Sequence, residues 1–79
     1  MENLTKYKNT FIESFIVKEE DLDNLKYQDI SAWDSVGHMA LMASLEETFE
    51  IELDIDDIIA FSSYKEGLKI LRKYDVNFE

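Results

Sequence analysis

Between Ala32 and Leu53 the sequence AWDSVGHMALMASLEETFEIEL places apolar residues at helical spacing on two opposed sides of one helix. An α-helix advances about 100° per residue. With Val36 as the origin, Leu41, Met42, Leu45 and Phe49 centre on the back, while Val36, Met39, Ala40 and Ala43 cluster at the front of the N-terminal half. Glu46, Glu47 and Glu50 continue that front toward the C-terminal end. A helix in a small domain needs one apolar stripe for its core. The second patch is therefore either buried under another segment or left as a docking surface, a small apolar area beside acids that suits a basic partner. Periodicity leaves both readings standing.

The rest of the chain supplies the partners of the back stripe. Leu4, Tyr7, Phe11 and Phe15 fall at helical spacing, flanked by Ile12 and Ile16, and predict a helix over residues 3–17 with Asn3 as its N-cap. Residues 18–34 hold no sustained period, so a long loop with at most a short helical turn is expected there. Its Leu22, Leu25, Tyr27, Ile30 and Trp33 require that it pack across the helices, with Trp33 as its anchor. The second helix is expected over 35–50. The run IELDIDD has no pairing partner for a strand and reads as a turn. A short acidic helix follows at 56–61. A last helix is expected at 63–74, opened by Ser63 and Glu66 at capping-box spacing and burying Tyr64, Leu68 and Leu71. Gly67 beside that stripe marks either a close approach or internal space, and the ending DVNFE is expected to fray. The sum is an all-α fold, a four-helix bundle with a long first loop and a short third helix. With 79 residues and no cysteine, it must rely on a single modest core.

Charge narrows the function. Eighteen acidic against 8 basic residues give a net charge of −10, which repels nucleic acid and anionic membranes and favours basic docking surfaces. No apolar run approaches the ~18–20 residues that span a bilayer, and MENLTKYKNT has no apolar signal core, so a cytoplasmic monomer without membrane insertion is expected. No nucleophile constellation or Gly-rich phosphate loop is present. His38 is the single histidine and falls on the core side of the second helix, where a hydrogen-bonded, half-buried ring is expected rather than a metal ligand. A calcium loop starting at Asp54 fails on spacing, with Ile59 where glycine is needed and Lys65 where glutamate is needed.

Ser35 opens the second helix. Asp34 and Ser35 are both preferred N-cap residues. The same position suits a phosphate, because free backbone N–H groups and the positive end of the helix dipole meet there.

The segment DSVGHMALMASLEETFEIELDIDDIIAFSSYKEGLKIL, residues 34–71, resembles acyl carrier proteins. The resemblance rests on DSV followed by LEETFEIEL at this spacing, then a short acidic helix, a serine pair and a final helix. It covers about half the chain. It implies a non-enzymatic carrier whose Ser35 bears 4′-phosphopantetheine, transferred from coenzyme A by a phosphopantetheinyl transferase. The arm's thiol would hold an acyl group as a thioester for loading and transfer enzymes. It further implies partner docking at Asp34, Val36, Met39, Ala43, Glu46 and Glu47. Met42, Leu45, Phe49, Ile58, Phe61 and Leu68 would form a candidate wall for the cargo. The chain departs from many fatty-acid carriers in having ISAW before DSV, and Gly37 and Ala40 where acids are common. It looks more like a carrier dedicated to a lipid, secondary or surface-polymer pathway. Aminoacyl and peptidyl carriers are also similar, but typically place Gly-Gly-His before the serine. An unmodified acidic interaction module is the alternative outside this family.

Overall fold

The computed structural model describes residues 2–78. The chain forms α1 (Glu2–Phe15), a 3-10 helix (Glu19–Asn24), α2 (Ser35–Phe49), α3 (Ile55–Ala60) and α4 (Tyr64–Arg72). It is mostly helical, and the described residues contain no strand, so the all-α expectation holds. One antiparallel bridge pairs Lys26 with Ser63, made by Tyr27 N–H to the Ser62 carbonyl and Tyr64 N–H to the Leu25 carbonyl, both at 2.9 Å. It fixes the middle of the loop to the start of α4.

α1 presents Tyr7, Phe11 and Phe15 to the core, with Leu4 and Ile12 half-buried beside them. The helix starts one residue earlier than its pattern predicts. Asn3 therefore lies inside the first turn, and its amide donates to the Asn77 carbonyl at 2.9 Å instead of capping. It also ends earlier, at Phe15, because Ile16 adopts φ 54° and turns the chain. Such a conformation costs an L-residue about 1–2 kcal/mol.

The segment expected to be a loop folds its first part into the 3-10 helix and buries Leu22, Leu25 and Trp33. Trp33 is fully buried, its ring 5.5 Å from Phe11 and 5.2 Å from Phe15. The loop thus packs across α1 through its tryptophan. Beyond it, α2 buries Leu41, Met42 and Leu45 and ends where Glu50 takes left-handed dihedrals, φ 56° and ψ 49°. The turn after it is held by Glu46, whose carboxylate accepts from Leu53 N–H at 2.8 Å.

Ser63 Oγ accepts from Glu66 N–H at 3.0 Å and so caps α4. The buried face of α4 is Tyr64, Gly67, Ile70 and Leu71, with Leu68 only half-buried, so the helix is turned slightly from the expected stripe. Gly67 marks a close approach. A Cβ at this position would overlap the Tyr7 hydroxyl and the Phe61 ring. Of the ending expected to fray, Glu79 lies outside the described residues and the part before it packs on the core. Val76 and Phe78 are buried, and the Phe78 ring lies 5.5 Å from Tyr7 and 6.2 Å from Phe49.

Tyr7 and Tyr64 share the centre of this core but differ in their polar ends. Tyr7 Oη donates to the Tyr64 carbonyl at 2.7 Å, whereas the buried Tyr64 hydroxyl has no hydrogen-bond partner. Burial pushes the Tyr7 phenol well above its ordinary value, with Tyr64 adding to the effect. Burial also pushes Tyr64 up to about 12, helped by Asp23 and Glu19. A paired buried hydroxyl contributes about 1 kcal/mol and an unpaired one costs free energy. Tyr7→Phe is therefore expected to lower stability by about 1–2 kcal/mol, and Tyr64→Phe to leave it unchanged or raise it. Urea unfolding of the two variants beside the wild type measures the difference.

Candidate functional site

The start of α2 is set by four devices. Trp33 is locked in the core and fixes where the chain emerges. Asp34, in an extended conformation, is the N-cap: its Oδ1 accepts from Gly37 N–H at 2.8 Å, and its carbonyl accepts from His38 N–H at 2.7 Å. Gly37 is required sterically, because a Cβ there would overlap the Ala32 carbonyl oxygen. His38 joins the loop to α2 from within the second turn, accepting at Nδ1 from the Trp33 indole N–H at 2.9 Å. The capping role at this helix end thus falls to Asp34. Ser35 is the first residue of α2, exposed, with its hydroxyl not engaged as the cap.

His38 sits where its position on the helix predicts, half-buried and hydrogen-bonded on both sides. Indole N–H can only donate, so Nδ1 carries the lone pair and the ring proton is on Nε2. Nε2–H donates to the Ile58 carbonyl at 2.8 Å. With that lone pair occupied, His38 is not placed to act as a base.

An apolar cleft of about 340 Å³ opens beside Ser35. Ser35, His38 and Met39 line it from α2, Ile58 and Ile59 from α3, and Phe61, Ser62 and Tyr27 complete the lining. Of the candidate cargo wall, only Ile58 and Phe61 reach this cleft. Met42 and Leu45 are closed into the core, and Phe49 and Leu68 are half-buried elsewhere.

The front of α2 remains uncovered. Val36 is 77% and Met39 55% exposed, and Ala40 and Ala43 are exposed beside them. The loop does not bury this patch. α3 presents Ile55 and Ile59, 74% and 75% exposed, which periodicity does not assign to the docking patch. Their i, i+4 spacing on a short helix was the available signal. Asp34 and Glu47 are exposed at the edge of the patch, while Glu46 is half-buried and already bonded to Leu53 N–H.

α3 is only six residues long and is secured by side chains. Asp57 accepts from Lys73 Nζ and from Tyr74 Oη, both at 2.5 Å, and Tyr74 Oη accepts from Asp54 N–H at 2.9 Å. The Lys73 hydrogen bond, then that of Tyr74, holds the Asp57 carboxyl below the ordinary aspartate range.

Among the described residues no helix is long and apolar enough to cross a membrane. Compared with protein-family models, curated proteins and solved structures, the chain has no significant match.

Two outcomes follow from this geometry. Asp34→Ala is expected to lower stability by about 1 kcal/mol and Ser35→Ala to change it little, as measured by chemical denaturation. Because the folded state depresses the Asp57 pKa, its contribution is present above the unfolded value near pH ~4 and is lost as pH falls through the folded value. The thermal midpoint of the wild type is therefore expected to fall more on acidification from about pH 5 to about pH 2 than that of Asp57→Asn.

Proposed function

We propose that the chain is an acyl carrier protein, non-catalytic itself, in which Ser35 is joined to 4′-phosphopantetheine and presents a thioester-bound acyl group to partner enzymes. The observation that carries this reading is the division of labour at the start of α2. Asp34 does the capping, which leaves an exposed serine hydroxyl at the first helical position. A phosphodiester there meets the positive end of the fifteen-residue helix. In this reading α1, α2, α3 and α4 are the four helices of a carrier bundle and the 3-10 helix belongs to its first loop.

The reaction that loads the arm belongs to a separate transferase. Ser35 Oγ loses its proton and forms a bond to phosphorus, and the phosphorus–oxygen bond to adenosine 3′,5′-bisphosphate breaks. The chain supplies the nucleophile's position and the surface the transferase reads. The sulfur chemistry comes with the arm. The exposed patch of Val36 and Met39, extended by Ile59, is the docking face, with Asp34, Ala43 and Glu47 at its edge and Glu46 behind it. An apolar centre rimmed by acids suits a partner with a basic rim around an apolar socket. The reading places the protein with its coenzyme A donor in the cytoplasm, in a pathway dedicated to a particular lipid, surface polymer or secondary product.

The same exposed patch also favours a second reading, an unmodified acidic interaction module. Incubation with coenzyme A and a broad-specificity phosphopantetheinyl transferase separates the two. Intact mass is expected to rise by one phosphopantetheine in the wild type and not at all in Ser35→Ala. An unchanged wild-type mass, or a gain that survives Ser35→Ala, would overturn the carrier reading. The module reading expects partner binding to survive Ser35→Ala and to be abolished by Met39→Glu.

A further inference from the structure

We propose that His38 is a latch that sets the depth of the apolar cleft beside Ser35 by holding the C-terminal end of α3 against α2. The consequence for cargo rests on Ser35 being the attachment point, but the latch itself does not. Three observations carry it. First, the last carbonyls of a helix have no partner within it, and those of α3 must find one elsewhere. Phe61 N–H reaches the Ile58 carbonyl only at 3.4 Å, whereas His38 Nε2–H reaches it at 2.8 Å. His38 therefore serves as a C-cap for α3 from a neighbouring helix. Second, the latch is anchored at its other end. The Trp33 indole N–H donates to Nδ1 at 2.9 Å, which fixes both the tautomer and the tilt of the ring, and Trp33 is fully buried. Third, His38 and Ile58 both line the cleft, and Ser35 and His38 are one turn apart on the same face of α2.

A six-residue helix does not hold its shape alone, so α3 keeps the position its ties give it. Asp57 ties it toward Lys73 and Tyr74, and His38 ties it toward α2. With His38 in place, the room beside Ser35 stays at about 340 Å³. An apolar group that stays within this open cleft leaves α3 undisturbed. One that reaches inward past His38 and Ile58 enters only when the Ile58 hydrogen bond breaks and α3 moves outward.

The test compares the wild type with His38→Ala and with His38→Gln, which can accept from Trp33 and donate to Ile58 through one amide. Hydrogen exchange at the α3 amides and at the Trp33 indole N–H is read first, on unmodified protein. The latch expects exchange about three- to tenfold faster in His38→Ala and restored toward wild type in His38→Gln. Unchanged exchange in His38→Ala would overturn it, whatever the fate of Ser35. Each protein is then loaded with butyryl- or lauroyl-phosphopantetheine by the transferase and its thermal midpoint measured. The butyryl arm is expected to stabilise all three similarly. The lauroyl arm is expected to stabilise His38→Ala more than the wild type, with His38→Gln resembling the wild type. The same chain-length dependence in all three would remove His38 from cargo selection, and a failure to load would count against the carrier reading alone.

Discussion

Burial of Trp33 is the contact on which the rest of the site depends. A chain of 79 residues with no cysteine has one core to hold every element, and here aromatic rings pack beside aliphatic side chains in that core. Phe11 and Phe15 receive the tryptophan from α1, while Tyr7, Phe61 and Tyr64 close the same cluster from the other side. Once the indole is seated, the next residues have little freedom. The chain must leave the core at Asp34, begin a helix there, and bring His38 back to the indole N–H one turn later. The platform that presents Ser35 is thus an extension of the hydrophobic core.

α3 follows a different rule. It offers Ile55 and Ile59 outward and is fixed from behind by polar groups, the Asp57 carboxylate and the Ile58 carbonyl. Hydrogen bonds are directional in a way that apolar contact is not. The exposed patch therefore spans a helix seated on the apolar core and one whose placement also depends on hydrogen bonds from Lys73, Tyr74 and His38. A partner that reads both Met39 and Ile59 is sensitive to the distance between them.

The helices were legible because their apolar spacing is strong. Tyr7, Phe11 and Phe15 on α1, and Leu41, Met42 and Leu45 on α2, occupy the core face that periodicity gives them. What periodicity missed was set by contacts distant in sequence. Asn3 bonds to Asn77 rather than capping, and Phe78 packs on Tyr7 and Phe49 rather than fraying, because residues 75–78 return to α1. Gly67 was readable as either a close approach or internal space, and only the fold decides for the approach, with Tyr7 and Phe61 as the neighbours. At the candidate site, the exposure of Val36 and Met39 was readable as one of two outcomes. The choice between Asp34 and Ser35 as cap was not, since both residues favour that place and only the backbone conformation decides.

The absence of a Cβ at Gly37 has a wider consequence. In the run WDSVGH, Trp33 anchors, Asp34 caps, Ser35 stands free, Gly37 admits the Ala32 carbonyl and His38 bridges. Ser35 and Val36 stand exposed between these contacts, Val36 at 77%. Within this fold the run reads Trp-Asp-x-x-Gly-His: four residues set the start of α2, and the two exposed places between them, Ser35 and Val36, are where a side chain can change without a change of architecture.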